Sequence, residues 1–181
     1  MRIISGTHKG RKISPPKGLP VRPTKDMAKE ALFNILNNRY HFEDIKTLDL
    51  FAGTGNISLE FASRGVPEIV AVDADFKCYS FISKISKEFD FAIEVVKGDV
   101  LKFLDRTPQT FDLIFADPPY NFSVNDCEEI RSKVFNRELL NSNGLLIIEH
   151  SKHTDLSELP NFVENKKYGS SVFSFFNIDL V

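Results

Sequence analysis

Tryptophan is absent from the 181 residues, cysteine occurs twice and no apolar run exceeds the length of a strand. Each shortage excludes something. Two cysteines, Cys78 and Cys127, form no recognisable motif, so neither a disulfide framework nor a Cys-based metal site is expected, and a reduced, cytoplasmic protein is the default. Strand-length apolar runs provide no membrane span. The start, Met1-Arg2-Ile3-Ile4-Ser5-Gly6, lacks the apolar stretch and cleavage site of a signal peptide. His150 and His153 are neighbours without a metal-ligand pattern, and no metal is expected.

What is present is an ordinary globular composition, 42% apolar and 27% charged, with 17 phenylalanines that mostly supply core. The net charge of −2 conceals an asymmetry. Residues 1–30 hold eight basic residues (Arg2, Lys9, Arg11, Lys12, Lys17, Arg22, Lys25, Lys29) against Asp26 and Glu30, a net +6; the other 151 residues carry −8. A basic segment on an acidic body points to a polyanion contact made by that segment.

The pattern along the chain is legible. Arg2–Ser5 and Arg11–Ile13 read as a β-hairpin around Gly6 and Gly10, with a basic face. Pro15, Pro16, Gly18 and Pro20 make a non-helical linker. Thr24 is a suitable N-cap for a helix over 25–38, where Ala28, Ala31, Leu32, Ile35 and Leu36 follow at helical spacing. From Thr47 strands and helices alternate. Strands are read at 48–51, 68–72, 93–96, 111–116 and 144–149, and helices at 56–63, 76–89, 100–104 and 124–135, the last capped by Asn125 or Asp126. Segments 162–167 and 172–178 flank Gly169-Ser170-Ser171 as a closing hairpin. Such alternation predicts an α/β fold: a mostly parallel sheet covered by helices, seven strands in all with the last hairpin antiparallel. Two units are expected, an N-terminal extension over 1–40 and a catalytic domain over 41–181.

Ligands of parallel sheets bind beyond the strand carboxyl ends. Four candidate groups fall there: Gly53 with Gly55, Asp73, Asp99 and Asp117. The glycines let backbone pass close to a ligand. A third glycine of a dinucleotide fingerprint would fall at Ser58, which weakens a pyrophosphate reading. Asp73 stands about 20 residues on, where an acid can take both hydroxyls of a ribose. Asp99 could bind an adenine amino group beside the Val100 backbone. An adenosine without a pyrophosphate is indicated, and S-adenosylmethionine fits. In Asp117-Pro118-Pro119-Tyr120 the prolines fix φ and hold Asp117 extended, so a carboxylate, a carbonyl and an aromatic face are held in fixed relation. Those groups can grip a flat base carrying an amine; a rigid loop after a strand is the plain alternative.

Asp49-Leu50-Phe51-Ala52-Gly53-Thr54-Gly55 resembles the cofactor loop of class I S-adenosylmethionine-dependent methyltransferases, whose sheet is Rossmann-like. Asp117–Tyr120 resembles the motif of those that methylate exocyclic amines. Arg2–Gly6, Lys9–Lys12, Arg22-Pro23-Thr24-Lys25-Asp26 and Glu30–Asn34 are similar to blocks of the RsmD family, which methylates a guanine exocyclic amine in 16S ribosomal RNA. The resemblance implies that Asp49, Phe51, Ala52, Gly53, Thr54, Gly55, Asp73, Ala74, Asp99, Val100 and Asp117 line the cofactor, with Arg22 and Thr24 packed over it. It implies that Asp117 and the Pro118 carbonyl hold the amine, that Pro119 stiffens the turn and that Tyr120 stacks on the base. Arg2, Lys9, Arg11 and Lys12 would hold RNA, as a monomer acting on 16S rRNA, naked or within the small subunit. A DNA adenine methyltransferase uses the same four-residue motif, and a non-catalytic RNA-binding factor could keep the fold; both stay open here.

Overall fold

The computed structural model describes residues 1–16, 18 and 26–178. Arg22, Pro23 and Thr24 therefore lie outside the described residues, with Lys17, Pro20 and Lys25.

The first helix, α1 (Asp26–Asn37), turns Leu32, Phe33 and Leu36 inward. After a short 3-10 turn the alternating pattern begins: β1 (Lys46–Leu50), α2 (Asn56–Ser63), β2 (Glu68–Asp73), α3 (Phe76–Glu88), β3 (Ile93–Lys97), α4 (Val100–Arg106), β4 (Phe111–Ala116) and α5 (Val124–Asn136). Three strands close the chain, β5 (Leu140–Ser151), β6 (Phe162–Tyr168) and β7 (Ser171–Asn177).

One seven-stranded sheet runs in the order β3-β2-β1-β4-β5-β7-β6. The first five strands are parallel; β7 joins β5 antiparallel and β6 joins β7 antiparallel. The α/β sheet with an antiparallel C-terminal hairpin is thus as the sequence predicts. The strand order reverses at β1, which pairs β2 on one side and β4 on the other. That pair of carboxyl ends is the switch point where such sheets leave a crevice.

Strand alternation divides the core in two. Leu48, Leu50, Ile114, Ala116, Leu146 and Ile148 face α4 and α5 through Val100, Leu104, Ile130 and Val134. Leu113, Phe115, Leu145 and Ile147 face the other way, onto Leu32, Phe33 and Leu36 of α1 and Phe61 of α2. The N-terminal helix therefore shares the sheet's own core.

Three local expectations are corrected. The cap of α5 is Ser123, whose side chain accepts from the Asp126 N–H while Asp126 accepts in return, a capping box rather than a cap by Asn125 or Asp126. β5 begins at Leu140, four residues before Gly144, because Leu140 pairs with Phe111 ahead of a register shift. Lys29, counted in the charge of the basic N-terminal segment, is 1% exposed and adds nothing to its surface.

Candidate active site at the sheet switch point

The loop leaving β1 is built on positive φ. Phe51 (58°), Gly53 (58°) and Gly55 (71°) all adopt it within five residues. For Phe51 this conformation costs about 1–3 kcal/mol. Its ring is held against Phe122, centroids 5.5 Å apart and nearly perpendicular. At Gly55 a Cβ would lie 2.9 Å from Ile82 Cγ1 on α3, so both space and backbone require glycine.

The acids around this loop divide by role. Asp73, half-buried at the end of β2, accepts from the Gly53 N–H (2.7 Å) and from the Asp75 N–H (2.8 Å), which fixes the glycine turn against the neighbouring strand. Ala74 beside it is exposed. Asp99 is exposed and caps α4 by accepting from the Lys102 N–H at 2.9 Å, with Val100 buried behind it. Asp49, expected in the cofactor set, lies beneath the loop. It is 2% exposed and its carboxylate takes both the N–H and the hydroxyl of Ser58, so it ties β1 to α2 beneath the loop. Burial pushes its carboxyl up to about 7, with Asp73 adding to the rise. Ala52 and Thr54 are buried in the turn, the Ala52 N–H donating to the Val72 carbonyl at 3.0 Å.

Across the switch point β4 is followed directly by Asp117, whose N–H donates to the Leu50 carbonyl at 3.3 Å. The Asp117 carboxyl is held well above the ordinary range, first by burial, then by Glu149 and Asp49 nearby. Pro118 is buried and Pro119 exposed; the Pro119 carbonyl accepts from the Phe122 N–H (2.9 Å) and closes the turn. Tyr120 presents its ring to solvent, 73% exposed, which is unusual for so large an aromatic. A cleft is lined by Asp117, Pro118, Tyr120, Phe122, Glu149 and His150 among others. The structure thus brings the acid, the prolines and the aromatic together beside the glycine loop.

Two residues here escaped the sequence reading. Phe122 links the two loops through its contact with Phe51. Glu149 shares the cleft with Asp117; the rule that singled out acids at strand carboxyl ends applies to it equally, since it follows the apolar run Leu145–Ile148. Cys127 also borders the cleft, but burial pushes its thiol up to about 11 and that of Cys78 up to about 12, so both stay protonated.

The N-terminal hairpin is present, with a bridge from Arg2 to Lys12, supported by the Ile3 N–H donating to the Arg11 carbonyl (3.0 Å) and the Gly10 N–H donating to the Ile3 carbonyl (2.9 Å). Arg2, Lys9, Arg11 and Lys12 are exposed on it. Arg2 approaches Asp26 at 3.5 Å, and Arg11 lies over the Phe89 ring. The hairpin is fastened to α2 by a buried knot. Glu60, fully buried, accepts from the Ile4 and Ser5 N–H groups (2.8 and 3.0 Å) and pairs with Arg64 and with Lys29. Lys29 also donates to the Arg2 carbonyl (2.7 Å) and to Asn56 Oδ1 (2.8 Å) at the start of α2. Burial lowers the Lys29 pKa, with Glu60 opposing the shift. Gly6 completes the contact, since a Cβ there would fall 1.7 Å from the Ser63 carbonyl oxygen.

Residues 1–177 match a family described as conserved hypothetical protein 95. The Haemophilus influenzae protein named ribosomal RNA small subunit methyltransferase D is 30% identical over 181 residues, 97% of this chain and 91% of that one. The Bacillus subtilis protein YlbH, provisionally named an rRNA methyltransferase, is 31% identical over 87% of this chain and 86% of its own. Among solved structures, the Escherichia coli protein YhhF superposes with a TM-score of 0.85 at 28% identity, over 98% of this chain and 97% of that one.

Proposed function

The chain belongs to the RsmD family of methyltransferases, the family described as conserved hypothetical protein 95, and from that membership we propose that it transfers a methyl group from S-adenosylmethionine to the N2 amine of a guanine in 16S rRNA. The observation that carries the reading is Asp117-Pro118-Pro119-Tyr120 directly after β4, with its acid lining a cleft and its aromatic ring exposed beside it.

The residues present fit the cofactor. The loop over Phe51, Ala52, Gly53, Thr54 and Gly55 brings backbone to the crevice; Asp73 would take the ribose, and Asp99 with Val100 the adenine edge. Asp49 serves that pocket indirectly, through α2 and the loop it supports. S-adenosylmethionine supplies an electrophilic methyl carbon. The protein's task is to make the amine a better nucleophile and to aim it.

The lone pair of a guanine amine is delocalised into the ring. Asp117 and the Pro118 carbonyl, each accepting one amine hydrogen, pull the nitrogen towards tetrahedral geometry and localise that pair. Asp117 then stabilises the positive charge that grows on nitrogen in a partly dehydrated crevice. Alignment of the reacting atoms at about 3–3.5 Å supplies much of the rate. The base leaves its stack at a cost of a few kcal/mol, offset in part by stacking on Tyr120. Because Asp117 works ionised and its carboxyl is raised, the rate rises with pH as that group loses its proton.

Residues 1–40 act as the RNA-holding extension of the catalytic unit 41–181, with Arg2, Lys9, Arg11 and Lys12 on phosphates. The protein works as a cytoplasmic monomer on the small subunit or its assembly intermediate. No helix among the described residues is long and apolar enough to cross a membrane. Labelled S-adenosylmethionine offered with methyl-deficient small subunits, naked rRNA and DNA, followed by nucleoside analysis, tests the reading. N2-methylguanine from rRNA is expected. Methyladenine from DNA, or cofactor binding with no transfer to any acceptor, would overturn it.

A further inference from the structure

Asp117 is not the sole acid lining the cleft. Ala116 on β4 is in register with Ile148 on the parallel neighbour β5. The next residue on each strand is an acid, Asp117 and Glu149, so two carboxylates leave adjacent strand ends, on strands that lie about 4.8 Å apart. Both line the cleft that Tyr120 opens to solvent, and Glu149 is 6% exposed. Placing two carboxylates together out of water is costly. Glu149 is one of the groups that raise the Asp117 carboxyl, an independent sign that the two are close. Paired titratable groups of one sign in a cleft are a mark of function.

The chemistry of amino-bearing bases says what a second acceptor does there. In guanine the exocyclic amine is flanked by the ring N1–H, a donor. In adenine the amine is flanked by N1, and in cytosine by N3, both acceptors. A carboxylate next to the one that holds the amine therefore gains a hydrogen bond from guanine and meets a lone pair from adenine or cytosine. Backbone carbonyls of the Pro-Pro turn cannot make this distinction, because every amine presents them with the same hydrogens.

We infer that Glu149 is the specificity-determining residue of the crevice, selecting guanine by accepting its ring N1–H while Asp117 accepts from the amine. The inference rests on the reading of the cleft as a base-amine pocket and adds the group that chooses the base. Aspartate and glutamate divide the purine edge: the shorter acid sits on the stiff turn at the amine, and the longer one reaches from β5 to the neighbouring ring nitrogen.

The test uses small subunits whose mapped acceptor guanine is retained or replaced by adenine, with wild-type protein and Glu149→Gln. Gln keeps the shape but can donate an amide hydrogen to adenine N1. The guanine-to-adenine ratio of kcat/KM should fall about tenfold or more in Glu149→Gln, with methylated adenine becoming detectable and cofactor affinity unchanged. Glu149→Asp, which keeps the charge, should lose rate yet keep the preference for guanine. Equal proportional losses on both acceptors in Glu149→Gln, or an unaltered rate on guanine, would overturn the inference while leaving guanine methylation intact. A wild-type protein that methylates no guanine would overturn the functional reading itself.

Discussion

Glu60→Gln is expected to loosen the N-terminal hairpin from the catalytic sheet. In the wild type Glu60 is the anion of a buried knot: it takes two backbone N–H groups of the hairpin, the Arg64 guanidinium at 2.8 Å and the Lys29 ammonium at 3.3 Å. Gln can accept through one oxygen only and carries no charge. Two cations then share a buried space with neutral acceptors, and Lys29, whose pKa burial already lowers, is driven further towards the neutral amine. Removing one partner of a buried pair costs about 3–5 kcal/mol. For a domain of this size each kcal/mol moves Tm by about 2–4 °C, so a fall on the order of 10 °C is expected. Lys29→Met should cost less, since Glu60 keeps Arg64 and both N–H groups, and the loss is confined to the Arg2 carbonyl and Asn56 Oδ1, which forfeit their donor. Urea unfolding gives the two free energies, and amide hydrogen exchange at Ile4 and Ser5 reports the local release. Equal stability of Glu60→Gln and wild type, or Ile4 and Ser5 amides as protected as before, would refute the claim that this knot seats the hairpin.

Two further outcomes follow from the acids and the basic strip. Burial holds the Asp49 carboxyl at about 7 in the fold, against about 3.9 in the unfolded chain. Between those values the folded form keeps a proton that the unfolded form has lost, so stability should fall as pH rises from about 4 to 7, by up to about 1.4 kcal/mol per pH unit. Asp49→Asn should flatten that slope in urea midpoints, and an unaltered slope would place its origin elsewhere. Neutralising Arg11 and Lys12 should weaken rRNA binding and reduce the log–log salt slope by about one for each phosphate no longer neutralised; an unchanged slope would remove those two residues from the RNA surface.

The sheet was legible because its signals are local. Strand-length apolar runs, glycine turns and helical spacing lie within a few residues of one another, and they place β1 to β4 and the closing hairpin nearly as found. The positions of Asp73, Asp99 and Asp117 at or just beyond strand carboxyl ends were legible because an acid at the end of an apolar strand stands out. What was hidden depends on partners distant in sequence. Lys29 lies four residues before Phe33 and seven before Leu36, on the face α1 buries, yet nothing local names its partner Glu60, 31 residues away. The start of β5 was hidden because the polar stretch Asn141-Ser142-Asn143-Gly144 precedes the apolar run; pairing of Leu140 with Phe111 carries the strand through it. The role of Asp49 was hidden for a related reason. A loop motif marks it as near the ligand, while only the packing of α2 on β1 shows that Ser58 takes its carboxylate.

If Asp117 acts on the base amine and not on the cofactor's hold, the two functions separate in Asp117→Ala. The variant is assayed in parallel for methyl transfer to methyl-deficient small subunits and for S-adenosylmethionine affinity. Transfer should fall by a factor on the order of 1,000, comparable to removing a preorganised transition-state contact, while cofactor affinity changes less than about threefold. Loss of cofactor binding together with transfer, or transfer at an undiminished rate, would contradict the role given to Asp117.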